Sequence, residues 1–372
     1  MKRLLYLLYL FVIFFIVLEI ALRIYNPFHL RLKGDKIILP VNIQTTINNR
    51  INPKLDPVIV NSSNSLGLRG PELPRTKDAL LKIIAIGGST TECHFLDDKK
   101  TWPYLLGREL MDSFPCVWLN NAGLDGHSTY GHIVLLNGHI KQLRPSVVIF
   151  MPGINDIELA DPTFHDKLNT QGAVPDWRHY IFENSEVLNL LLNLVRGWRA
   201  QKFVNTTNSI FIPDSTQKRE IPTAAFDKRL AAQKPYLEGY RRRQSQLADT
   251  CIAWQILPVF VTQALLCGEG KDSLTGTNLE LIPAWPDDTT LNGKLFWTML
   301  EQYNDVTRSL AASRHLPLID LATRMPKNSL YYYDMCHFTN QGAAAVSSIL
   351  AKDLTPILHQ NFPAGCDRGP SR

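Results

Sequence analysis

From Leu81 onward the chain alternates short apolar runs with helix-length amphipathic stretches, and no other feature narrows the possible folds as much. Such a pattern suits a parallel sheet buried between layers of crossover helices. The strand candidates are Lys82 to Ile86, Cys116 to Asn120, Ser146 to Met151, Ile256 to Thr262 and Leu316 to Asp320, each followed by a helix or by a turn rich in Gly, Asn or Asp. Helices are expected over Trp102 to Ser113, Ser128 to Leu143, Glu183 to Arg199, Phe226 to Trp254, Leu291 to Arg314 and Asn340 to Leu354, the last stopping just before Pro356. The result is an α/β fold, a three-layer α/β/α sandwich around a five-stranded parallel sheet. Ligands of such sheets gather beyond the carboxyl ends of the strands, so motifs at those ends are the candidates for chemistry.

Ahead of this body, Met1-Lys2-Arg3 precedes an apolar run from Leu4 to Leu22 that is interrupted only by Glu19. About 20 mostly apolar residues cross a bilayer core, and an acid one turn from the end of the run can sit among the headgroups. A cleaved signal peptide would show a shorter run and a small-x-small cleavage site, which Glu19 to Tyr25 lacks. Residues 1–23 are therefore expected to form an uncleaved signal anchor, with a cleaved signal or a buried core helix as the alternatives. Lys2 and Arg3 favour a cytoplasmic N-terminus, which puts the body on the periplasmic side of the inner membrane as a single-pass protein. Arg23, Arg31 and Lys33 on the far side weaken that bias. Residues 24–75, rich in Asn and Pro, suit a juxtamembrane linker and extended segment. The body spans 76–360 and is followed by a tail over 361–372. Between Asp161 and Lys234 the chain is too long for one crossover; an inserted helix and a polar loop, a candidate lid, are expected there.

The net charge of +5 includes no long basic run, so nucleic acid is not expected as a partner. An exported body would carry its six cysteines into an oxidising compartment where one or two disulfides can form. No C-x-x-C occurs, their spacing does not fix a pairing, and buried thiols remain the plainer reading.

Four segments carry chemistry. Ile83-Ile84-Ala85-Ile86-Gly87-Gly88-Ser89 is an apolar strand running into two glycines and a serine, a turn that exposes Ser89 to the free N–H groups of a helix start. The plain alternative is a helix cap or a phosphate-binding turn. Asn120-Asn121-Ala122-Gly123-Leu124-Asp125-Gly126 follows the second strand, where a glycine lets backbone N–H groups approach a substrate oxygen. After the third strand comes Gly153-Ile154-Asn155-Asp156, whose Asn155 amide can donate to an oxyanion or simply hold an Asx turn. Asp334-Met335-Cys336-His337 allows the carboxylate to reach the imidazole and fix its tautomer. In isolation this pair could equally be a surface group or a cap.

Taken in chain order, the four segments resemble the blocks of the GDSL/SGNH hydrolase superfamily over Leu81 to Leu354, with the insert unaccounted for. Asn64-Ser65-Leu66-Gly67-Leu68-Arg69-Gly70-Pro71-Glu72, Thr101-Trp102-Pro103 and Pro317-Leu318-Ile319-Asp320 are similar to text flanking those blocks in membrane-anchored bacterial members. The resemblance implies a flavodoxin-like sheet and a catalytic set of Ser89, Asp334 and His337. It further implies an oxyanion hole of the Ser89 N–H, Gly126 and Asn155. Where the family's first block reads Gly-Asp-Ser-Leu, Gly88 and Thr90 replace the aspartate and the leucine, so support for the local geometry must come from elsewhere.

The function implied is that of a serine esterase working through an acyl-enzyme, with neither metal nor organic cofactor. Its substrate is an ester, with O-acetyl groups of a cell-surface glycan as the candidate. An O-acyltransferase acting on an extracytoplasmic polysaccharide and an inactive scaffold with this fold are the alternatives. An assembled site would bring Cys93 and Cys336 near Ser89 and His337, close enough to bridge.

Overall fold

The structure, a computed structural model, describes residues 2–28, 32–33, 36–37, 39–50, 52–74, 80–163, 165–166, 184–195, 218–284 and 288–363. Two units emerge, Met1–Pro40 with Lys167–Asn208, and Val41–Asp166 with Ser209–Arg372. In the first, α1 (Lys2–Ile24) is a single 23-residue helix, long and apolar enough to cross a membrane. The two-residue strands β1 (Leu32–Lys33) and β2 (Lys36–Ile37) pair antiparallel, and a short apolar helix, Glu186–Val195, belongs to the same unit.

The second unit opens with an antiparallel pair, β3 (Gln44–Asn48) and β4 (Val58–Ser62). The segment expected as a linker over 24–75 thus divides. From Val41 it belongs to the body, because Ile59 and Leu68 are fully buried there. Next come β5 (Leu81–Gly87), β6 (Val117–Asn121), β7 (Val147–Met151), β8 (Leu257–Val261) and β9 (Leu318–Ile319), which form one parallel sheet in the order β6-β5-β7-β8-β9. Every residue of β6 and β7 is buried, which explains why β7 reads as an unbroken apolar run rather than an alternating one, while β6 ends in the buried polar pair Asn120 and Asn121.

Helices α2 (Ser89–Glu92), α3 (Trp102–Leu110), α4 (Thr129–Leu135), α5 (Thr223–Ala231), α6 (Lys234–Ala253), α7 (Gly293–Arg314), α8 (Leu321–Arg324) and α9 (Asn340–Asn361) surround the sheet. Polar caps set several of the starts: Thr101, Ser128, Asn292 and Thr339 each accept a backbone N–H of the first turn.

Three helices differ from expectation. The stretch expected as one helix over Ser128 to Leu143 is α-helical only through Leu135, then widens to a π turn over Leu136–Ile140 and tightens to a 3₁₀ turn over Lys141–Leu143. Phe226 to Trp254 is two helices, because Pro235 has no N–H for the carbonyl of Ala231 and the chain breaks at Ala232 and Gln233. Conversely, α9 continues through Pro356 to Asn361. Leu354 and Leu358, both fully buried on either side of the proline, offset the bond lost at the Lys352 carbonyl.

Of the insert expected over 161–234, residues 164, 167–183 and 196–217 lie outside the described residues, and with them Trp177, Arg178, His179, Tyr180 and Trp198.

Candidate active site

At the carboxyl end of β5 the chain turns through Gly88, the cap of α2, and Ser89 is the first residue of that helix. A Cβ on Gly88 would sit 2.3 Å from Asn155 Nδ2 and 3.3 Å from the His127 carbonyl. The space left by the absent block aspartate is therefore occupied by the Asn155 amide.

Ser89 Oγ lies 2.8 Å from His337 Nε2, and His337 Nδ1 lies 2.7 Å from Asp334 Oδ2. The other carboxylate oxygen of Asp334 accepts the backbone N–H groups of Cys336 at 2.9 Å and His337 at 2.8 Å. One acid thus shapes the turn and orients the ring it carries. Tyr333 stacks on His337 with its ring plane tilted by 9° at 5.5 Å.

Residues that sequence reasoning missed hold the serine turn. Arg69 donates to the carbonyls of Glu92 and Cys93, both at 2.8 Å, so a buried guanidinium closes the end of α2 while pairing with Asp98 at 2.6 Å. The Trp102 indole donates to the Thr90 carbonyl at 3.1 Å, and Asn121 Nδ2 to the Thr91 carbonyl at 2.7 Å. Gln263, just past β8, donates to Thr90 Oγ1 at 2.9 Å and accepts the Ile154 N–H at 3.2 Å, tying the serine turn to the Asn155 turn. A buried amide beyond a strand's carboxyl end was the signal available for Gln263. Arg69 lies in the flanking text that prompted the resemblance.

Asn155 sits in the turn Ile154–Asp156 and spends one amide proton on the His127 carbonyl at 3.0 Å. The second amide proton is left for another acceptor. Asp156 beside it is wholly buried and accepts from Thr129 and, at 3.1 Å, from Arg243. Burial pushes its carboxyl up to about 6 against the pull of Arg243 and Thr129. Gly126 has φ +69°, and a Cβ there would lie 2.6 Å from the His165 ring, so glycine is needed for both conformation and space.

A cleft of about 410 Å³ opens over Ser89, Asn155 and His337. Ile154, Ile157, Leu291, Phe296 and Met299 form its apolar side, and Asp125, Glu158, Arg229 and Asp288 its polar side. Arg229, carried on α5 from the end of the insert, grips Glu158 through two bonds of 3.0 Å and Asp288 through a third of 3.0 Å. No motif marked Arg229, Glu158 or Asp288, since each charge reads in sequence as a solvated surface residue.

Burial disfavours a charged His337, but the Cys336 sulfur at 3.5 Å and the Asp334 carboxylate outweigh it, so the imidazole titrates well above the ordinary histidine value. Burial also raises the Cys336 thiol, which favours its uncharged form and leaves Asp334 as the charged partner that favours the protonated ring. Donor atoms of Asp334, Cys336 and His337 lie within 4.8 Å of one another, but both His337 nitrogens already face Asp334 and Ser89. Cys93 and Cys336 are buried free thiols, so the bridge considered between them is not formed, and Cys93 donates to the Thr90 carbonyl instead. Cys116 is disulfide-bonded.

The model of the GDSL-like lipase/acylhydrolase family matches residues 85–345. Among solved structures, the lipase/acylhydrolase from Enterococcus faecalis is 14% identical over 75% of this chain and 97% of that one, with a TM-score of 0.40. An acetyl xylan esterase is 16% identical over 73% of this chain and 98% of that one, with a TM-score of 0.39. The psychrotrophic esterase EstA from Pseudoalteromonas sp. is 10% identical over 75% and 99%, with a TM-score of 0.38. No curated protein matches the chain.

The fold and the family match define an ester-hydrolysing enzyme of the SGNH type. The chain belongs to the GDSL-like lipase/acylhydrolase family.

Proposed function

We propose that the protein is a membrane-anchored serine esterase that removes short acyl groups, such as O-acetyl, from a hydroxyl-rich alcohol of the kind a cell-surface glycan presents. The observation that carries this reading is the series Ser89 Oγ, His337 and Asp334, linked by contacts of 2.8 and 2.7 Å at the mouth of the cleft. His337 Nε2 takes the Ser89 proton as Oγ attacks the ester carbonyl, then returns it to the departing alcohol. Water attacks the acyl-Ser89, gives its proton to His337 and releases the acid, and the proton goes back to Ser89. Asp334 holds the ring and stays ionised throughout. The Ser89 N–H, the Gly126 N–H and the second amide proton of Asn155 serve the oxyanion.

The cleft supports the substrate half of the reading. Its apolar side has room for a small acyl group, and its polar side presents Asp125, Glu158 and Asp288 to hydroxyl donors. Helix α1 is the anchor, with the body on the extracytoplasmic side of the inner membrane. The test is a panel of acetylated oligosaccharides, lysophospholipids and p-nitrophenyl esters of increasing chain length. Acetylated sugars should be the better substrates, kcat/KM should fall as the acyl chain lengthens, and free acetate should be the product even with excess oligosaccharide present. A preference for lysolipid or long chains would overturn the substrate assignment, and acetyl transfer to the added sugar would replace hydrolysis by transfer.

A further inference from the structure

Globular bodies bury leucine and expose asparagine, and the second half of the Glu186–Val195 helix leaves leucines exposed while an asparagine of its first half is buried. Val187 and Asn189 are buried at 6% and 2% exposure, whereas Leu191, Leu194 and Val195 are exposed at 51%, 58% and 47%. Asn193 turns to Asn189, bonding its carbonyl at 2.9 Å and its side-chain oxygen at 3.1 Å. The three exposed residues stand at i, i+3 and i+4 and so share one face. In water that face would forgo roughly 25 cal/mol for each Å² of apolar surface left exposed.

The start of this helix is fixed to α1. Glu19 accepts from the Ser185 hydroxyl at 2.8 Å and from the N–H groups of Glu186 and Val187, both at 3.1 Å, while Arg23 pairs with Glu19 at 2.8 Å. Asn26 donates to Glu186 at 3.1 Å. A carboxylate from the last turns of α1 therefore satisfies the free N–H groups of the second helix, which must find partners within the protein where water is scarce. Phe15, Leu18, Glu19 and Leu22 are the covered positions along one side of α1, and the rest of its apolar surface is exposed like that of the second helix.

We propose that the Glu186–Val195 helix is a second membrane-contacting element, lying in the interfacial layer against the exit end of α1 with Leu191, Leu194 and Val195 among the lipid acyl chains. It rests on the reading of α1 as the anchor. About 15 Å of helix cannot cross a hydrocarbon core of about 30 Å, so it lies at the boundary rather than spanning it. The sequence that follows, with Arg196, Trp198, Arg199 and Lys202, has the basic and aromatic composition of interfacial segments. This part of the insert is then a membrane contact rather than a lid.

The test uses full-length protein in phosphatidylethanolamine and phosphatidylglycerol vesicles, with a nitrobenzoxadiazole label on one introduced cysteine, Leu194→Cys, Val12→Cys or Leu274→Cys. Unsubstituted protein supplies the background from its own thiols. Nitroxide groups placed shallow or deep on the lipid chains then quench whatever label they meet. The label at 194 should shift to the blue and lose more than half its emission to the shallow quencher, that at 12 to the deep quencher, and that at 274 to neither. A label at 194 that behaves like the one at 274 overturns the proposal. One that shifts to the blue but escapes every lipid quencher overturns it in favour of a second copy of the chain covering this face. Failure of the label at 12 to be quenched would mark the anchor reading itself as wrong, separately from either result at 194.

Discussion

The serine turn and the polar side of the cleft are both built from charged and amide side chains, yet they are built differently. Around Ser89 the supports are buried: Thr90 and Gln263 are each 2% exposed, and the Arg69 side chain is 8% exposed. Along the cleft, Arg229, Glu158 and Asp288 keep 23%, 35% and 32% of their side-chain surface in water. Buried hydrogen bonds hold one geometry and fail all at once when a partner is removed, whereas wet ion pairs are weak and rearrange. The difference separates a place where atoms must meet within tenths of an ångström from a place that only has to receive a substrate.

The comparison is broken most severely at the centre. Ser89→Ala should lower turnover by a factor on the order of 10⁶, and Asp334→Asn by about 10⁴, with thermal unfolding near the wild-type midpoint. A Ser89 variant keeping a tenth of the activity would remove the serine from the chemistry. One step out, Asn155→Ala should cost roughly 10²–10³ in kcat with KM little changed, as expected for a donor that acts in the transition state. An effect confined to KM would make Asn155 a binding residue. Further out still, Arg69→Met should destabilise the fold by about 2–3 kcal/mol, read as a lower denaturation midpoint, because it removes the buried partner of Asp98 and one donor each from the Glu92 and Cys93 carbonyls. The smallest effect belongs to the cleft: Arg229→Gln should change KM a few-fold and stability by less than about 1 kcal/mol. A loss at Arg229 as large as that at Asn155 would erase the distinction between the two regions.

The same contrast sets what could be read from the chain. Strands β7 and β8, and β5 from Ile83 to Ile86, were legible because burial on both faces leaves an apolar run with few alternatives. Ser89, Asn155 and the Asp334 turn were legible as motifs because each depends on neighbours close in sequence. Arg69 and Gln263 act across the fold, so the flanking segment that holds Arg69 and the strand end that holds Gln263 marked their places but not their partners. Two prolines show the limit in both directions: Pro235 broke a helix that periodicity had joined, and Pro356 failed to end one because Leu358 is buried beyond it. Gly88, where the resemblance called for an aspartate, became intelligible only with Asn155 occupying its Cβ position.

The most direct measurement is the rate at which a fluorophosphonate forms an adduct with the full-length protein as pH is varied, with the adduct located by mass spectrometry. His337 must be neutral to take the Ser89 proton, and its Asp334 partner holds its pKa above the ordinary histidine value of about 6.5. Labelling should therefore occur on Ser89 alone, be slow in acid, and rise through a midpoint on the alkaline side of that value. In Asp334→Asn the midpoint should fall along with the rate. No adduct at Ser89, or an adduct whose rate ignores both pH and the Asp334 substitution, would contradict the account.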